Sequence, residues 1–128
     1  MFTAPLILEN MRSFQDAFYF SRCKMELTIL GQRYTVDYQK EKDNPKLEGA
    51  DGICEPFSKK IILNEIEPDK NTVERLEDYM AKVFRHEIVH AFFSESGLKD
   101  YMHDETLVDW IAAQLPKMVK VMSQAGCL

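Results

Sequence analysis

Two of the chain's three histidines stand four residues apart in the stretch HEIVH, His86 to His90, with Glu87 directly after the first. On an α-helix, positions i and i+4 share a face with Cβ atoms about 5–6 Å apart. Both imidazoles can therefore turn one ring nitrogen toward a single cation, at about 2.0–2.1 Å for zinc. Glu87 projects about 100° around the helix from His86. It need not be a ligand, and it can stand beside the ion and take a proton from a water held there. A pair of metal ligands with an adjacent base is the equipment of metal-assisted hydrolysis. Apolar Ile88, Val89, Ala91, Phe92 and Phe93 surround the motif. Charged groups in such surroundings are costly unless compensated, and a bound cation would compensate them.

A catalytic zinc ion takes three protein ligands and keeps one position open. One known pattern places a glycine three residues and a histidine six residues after His90. Those positions are Phe93 and Ser96, so that pattern is excluded. Downstream, His103 and Glu105 are the candidates. Glu105 opens the segment ETLVD, with Asp109 four residues on and on the same helical face. One carboxylate of such a unit can bind the metal while the other accepts a hydrogen bond from the far nitrogen of a ligand imidazole and fixes its tautomer. Two histidines with one glutamate form an established catalytic zinc set, which favours Glu105 over His103.

HEIVH, fourteen residues, then Glu105-x-x-x-Asp109 resembles the gluzincin metallopeptidases, the thermolysin-type clan, and above all their minimal single-domain members. It is also similar to small phage- and prophage-encoded peptidases of the ImmA/IrrE-like kind. The motif-bearing part runs from about Asn71 to Leu115. Residues Met25 to Asn64 match only in the order and size of their elements, and the segment before Cys23 has no counterpart. The resemblance implies one zinc ion per chain held by His86, His90 and Glu105, with Glu87 as general base and later general acid to the leaving amine. Asp109 would orient a ligand histidine, His86. The implied activity is that of a zinc peptidase in a bacterial cytosol, acting on a peptide or protein and, by analogy with ImmA-like enzymes, on a regulator. Val89 departs from the glycine that ImmA-like proteins often carry before the second histidine. Tyr101 and His103 lie in the connector after the motif and are candidates to stabilise the oxyanion. The strand KIILN would border the cleft as a sheet edge, to which a peptide can add as an extra strand.

Two other classes compete with the enzyme. One is a phage structural or regulatory protein that keeps the zinc site without robust peptidase activity. Glu87 argues against it, because a structural site closes its fourth position and needs no base. The other is a SprT-like protease acting on DNA-bound proteins. The acidic chain, with neither a zinc ribbon nor a basic tail, argues against that.

The elements that would carry these residues are legible from periodicity. Ile7, Met11, Phe14 and Phe18 mark one face of an N-terminal helix, a core face or a surface for a partner or for self-association. Leu27 and Ile29, then Tyr34, Val36 and Tyr38, alternate about Gly31-Gln32 as a hairpin. The polar stretch from Lys40 to Asp51 reads as a loop, one place from which a latent site could be controlled. Short strands are expected at Gly52–Cys54 and Lys60–Asn64. From Asn71, with Glu74 completing a capping box, a helix runs to Ser96 and stops at Gly97. Asp104 would cap a second helix with Leu107, Val108, Ile111 and Leu115 buried, and Pro116 would kink or break it. Trp110 and the Phe92-Phe93 pair read as core. The expected architecture is α+β: a small, mostly antiparallel sheet (25–64) packed on the two catalytic helices (71–122), with a helical arm (1–23).

The chain's 128 residues suit one domain, and 45% apolar residues suffice for a packed core. A net charge of −5 argues against a phosphate-binding surface, so no nucleic-acid partner is expected. The three cysteines, an odd number with no CxxC pair, suggest a reducing, cytosolic compartment, with Cys54 a small core residue. No stretch reads as a signal peptide or approaches the roughly 20 apolar residues of a membrane span.

Overall fold

The hairpin forms as its alternation requires: β1 (Met25–Ile29) pairs antiparallel with β2 (Gln32–Gln39), Ile29 facing Gln32. Its turn falls on Leu30-Gly31, one residue earlier than expected. Both residues have positive φ, 48° and 82°, the conformation whose twist matches the flanking strands. In this computed structural model, residues 24–67 and 75–128 are described. The expected helical arm over residues 1–23 and the Asn71–Glu74 capping box lie outside them.

A second hairpin, β3 (Gly52–Glu55) and β4 (Lys60–Asn64), joins the first through a parallel pairing of β2 with β4. The sheet order is β1-β2-β4-β3. KIILN is therefore β4, an interior strand rather than the expected edge. Its consecutive Ile61, Ile62 and Leu63 are all buried, and such an unbroken apolar run suits a strand covered on both faces. The edge is β3. Between β2 and β3, the stretch expected as an open loop makes two 3₁₀ turns, Glu41–Asp43 and Pro45–Leu47. Asn44 caps the second by accepting from the Lys46 N–H, and Leu47 is fully buried. That segment is anchored to the domain.

Helix α1 (Leu76–Glu95) lays Met80, Phe84 and Ala91 on the sheet residues Tyr34, Val36, Ile61 and Leu63. It ends as the glycine signal requires. Gly97 has φ 78°, its N–H donates to Ser94 O at 3.2 Å, and the Leu98 N–H donates to Phe93 O at 3.0 Å, a complete Schellman motif. Glu95 ties this end to the sheet, accepting from the Tyr34 hydroxyl at 2.7 Å and pairing with Lys59.

A single turn, α2 (Lys99–Met102), leads into α3 (Glu105–Gln124). Asp104 caps α3 by accepting from the Leu107 N–H at 3.0 Å. Val108 and Ala112 are fully buried on α3, but Leu115 is 40% exposed, so the buried stripe stops short of it. Trp110 is 55% exposed and Phe92 43%, contrary to their expected place in the core. Trp110 stands two residues from both Val108 and Ala112, about 200° around the helix, and so points away from the face they bury.

Pro116 does not break α3. The helix continues to Gln124 and closes at Gly126, φ 75°. A proline at this position takes the donor from the carbonyl four residues back, which is Ala112. Arg85 supplies another, its Nε donating to Ala112 O at 2.7 Å.

Candidate functional site

His86, Glu87 and His90 lie in the second half of α1, where the helix passes the edge strand β3. The Gly97 turn and the short α2 reverse the chain, so that the first turn of α3 returns beside them. The resulting cluster is tight. His86 Nε2 lies 2.9 Å from Glu105 Oε2, His90 Nε2 lies 3.1 Å from Glu105 Oε1, and the two Nε2 atoms are 3.0 Å apart. His90 is buried, His86 half-buried and Glu105 exposed, which leaves the cluster open on one side.

The partners behind each ring determine which nitrogens carry lone pairs here. His90 Nδ1 is 2.6 Å from the Met102 carbonyl oxygen, which only accepts, so Nδ1 bears the proton. Burial lowers the His90 pKa, which keeps the ring neutral and leaves a lone pair on Nε2. His86 Nδ1 faces Asp109 Oδ1 at 3.4 Å, a longer contact that puts a carboxylate behind this ring. With the proton on Nδ1 of both rings, two imidazole lone pairs and a carboxylate converge, a set complementary to a cation. Donor atoms of a tetrahedral zinc site with bonds of 2.0–2.1 Å lie about 3.3 Å apart, so the three contacts are of the right scale. Two neutral imidazoles and one carboxylate also match the preference of zinc for nitrogen and oxygen ligands. The residues fit the ion.

Glu87 is 6% exposed. Burial first, and then the charge of Glu105, push its carboxyl pKa up to about 8. It therefore titrates near neutrality rather than in the ordinary carboxylate range, as a general base requires. Gly52 makes room for it. A Cβ on Gly52 would come within 3.0 Å of Glu87 Cγ and of Val83 Cγ1, and within 3.2 Å of Leu63 Cδ2. β3 thus lies against α1 at the level of the proposed base.

Around these groups runs a cleft of about 520 Å³, lined on one side by residues 50–54 and on the other by Tyr79, Lys82, His86, Glu87 and His90. Glu105 and Asp109 reach it from α3, and His103 from the connector. Tyr101 does not line it; that ring is half exposed beside Phe93, with centroids 6.1 Å apart. Of the two connector candidates for oxyanion stabilisation, only His103 reaches the cleft, and it stands outside the three-ligand cluster. Cys54 packs on the core but also lines the cleft. Burial, followed by the charge of Glu87, pushes its thiol up to about 12, so it remains protonated. Tyr79 in the cleft wall donates its hydroxyl to Asp51.

Three contributors escape a reading of the chain alone. The Met102 carbonyl is a backbone group, which no residue type advertises. Lys82, one turn before His86, pairs with Asp109 at 3.3 Å; its sign and spacing were legible, but its partner on another helix was not. Gly52 had a local signal, a glycine opening a short strand, which often marks close backbone approach. No protein-family model matches the chain, and no curated protein or solved structure matches it significantly.

Proposed function

We propose that the chain is a zinc-dependent peptidase. The observation that carries the reading is the convergence of His86 Nε2, His90 Nε2 and the Glu105 carboxylate, the two nitrogens 3.0 Å apart and each within 3.1 Å of one carboxylate oxygen. His86, His90 and Glu105 would hold the ion, with Asp109 and the Met102 carbonyl fixing the two imidazoles. When bound, zinc supplies Lewis acidity toward a carbonyl oxygen and lowers the pKa of water at its open position. Glu87, poised near neutrality by burial, takes the proton of the attacking water and returns it to the leaving amine.

A peptide substrate suits the cleft wall. β3 is an edge strand, and Gly52, Ile53 and Cys54 line the cleft. An extended backbone can pair with such an edge and lie across the metal site. This gives β3 the role that the sequence alone suggested for β4. The test is zinc content and cleavage of a mixed peptide library by the wild type and Glu87→Gln. Zinc in both, with cleavage by the wild type alone, supports the enzyme. Zinc in both with no cleavage by either assigns a binding role, and no zinc in either removes the proposal.

A further inference from the structure

α1 and α3 meet along one polar seam. Glu105, Asp109 and Ala112 are spaced i, i+4 and i+7, which places them on one stripe of α3. Their partners on α1 all lie between Lys82 and His90. Glu105 meets His86 and His90, Asp109 meets His86 and Lys82, and the Ala112 carbonyl meets Arg85. All but one of these contacts involve the proposed metal ligands or the residue that orients them. The exception is Arg85 with Ala112, and it exists because of Pro116. In an unbroken helix the Ala112 carbonyl would be occupied by the N–H of residue 116. With proline there it loses that donor on a fully buried residue, and the Arg85 Nε donates to it instead from the neighbouring helix at 2.7 Å.

We propose that Arg85 is a positioning residue for the metal centre. By taking the carbonyl that Pro116 releases, it clamps α3 to α1 and sets the reach of Glu105 and Asp109 to His86 and His90. This rests on the zinc reading of the cluster. Arg85 directly precedes His86, and Ala112 lies two turns beyond Glu105, so a shift at the clamp is passed along rigid helix to the ligands. The hydrogen bond missing at Pro116 is thereby converted into an interhelical tie, which a continuous hydrogen-bond ladder would leave no acceptor to make.

The test uses the full chain as wild type, Arg85→Met, Pro116→Ala and the double variant. The readouts are zinc affinity by competition with a chromophoric chelator, and the unfolding midpoint of the metal-free chain. Arg85→Met should weaken zinc binding by about 10-fold or more, the scale seen when groups supporting metal ligands are removed, and should lower the midpoint. The double variant regains a helical donor for Ala112, so its midpoint should recover while its zinc affinity remains low. That split separates positioning from a merely structural role. If Arg85→Met alone does not fold, the double variant compared with Pro116→Ala carries the same affinity test. Wild-type affinity in Arg85→Met, or recovery of affinity together with stability in the double variant, overturns the clamp alone. A wild-type chain that takes up no zinc overturns both the clamp and the metal centre.

Discussion

His86 and His90 turn their Nε2 atoms toward each other at 3.0 Å, and each ring is held from behind, by Asp109 for His86 and by the Met102 carbonyl for His90. Two imidazole nitrogens brought together beside a carboxylate suit a cation. The metal-free chain should therefore take up about one zinc ion, with a rise in unfolding midpoint that grows with zinc concentration. His90→Ala should abolish uptake. Elemental analysis and thermal unfolding with and without chelator check both outcomes.

The third ligand is decided by comparing Glu105→Ala with His103→Ala. Glu105 stands within 3.1 Å of both Nε2 atoms, whereas His103 lines the cleft outside the cluster. Glu105→Ala should lose zinc, and His103→Ala should retain it. Equilibrium dialysis reads the difference, and the opposite ranking would exchange their roles.

Glu87 predicts a pH dependence for the metal-free fold. Its folded pKa is raised to about 8 from an ordinary 4.5, so folding favours the protonated form. The stability this confers is fully present below about pH 4.5 and is lost as pH rises through about 8. Glu87→Gln removes the effect and should exceed the wild type in stability at pH 9, by on the order of a few kcal/mol, with little advantage at pH 4.5. His90 acts in the opposite direction. Its pKa is lowered from 6.5, and its contribution is lost as pH falls below that value. Because both chains carry His90, the wild-type-minus-variant difference in urea denaturation isolates Glu87.

Asp109→Asn should keep the fold and weaken zinc binding by about 10- to 100-fold. Its side chain is 54% exposed, so little packing is at stake, while the carboxylate behind His86 Nδ1 is lost. Chelator competition measures the change, and wild-type affinity would deny Asp109 an orienting role.

Gly52→Ala should cost about 1–3 kcal/mol, as overpacking does, because the added methyl meets Glu87, Val83 and Leu63 at 3.0–3.2 Å. Zinc binding should survive, since no ligand touches Gly52, while hydrolysis falls as Glu87 is displaced. A variant as stable and as active as the wild type would remove Gly52 from the site.

Much of this arrangement was readable along the chain because it depends on neighbours in sequence. The four-residue spacing of His86 and His90 places both on one face of any helix. Gly97 stops that helix because the left-handed conformation at its end is easiest for glycine. Asp104 caps the next helix through an N–H three residues away. The strands at Gly52 and Lys60 also fall where β-branched content and turn residues put them. The errors share one origin. β4 was expected at the edge and Trp110 in the core, and α3 was expected to kink or break at Pro116, through which it runs on to Gln124. Each outcome depends on a partner distant in sequence: β2 pairing in parallel beside β4, the face of α3 that meets α1, and Arg85 reaching Ala112.

Sequence alone therefore determined the candidate ligands and base, the helices that present them and the α+β class, because spacing and capping are local physics. Only the tertiary structure decided that the lone pairs of His86 and His90 meet the Glu105 carboxylate, that the Met102 carbonyl holds one ring, and that β3 forms the cleft edge. Those relations join residues on different elements, and they arise only when burial of the sheet and helix faces brings α1, α3 and β3 together.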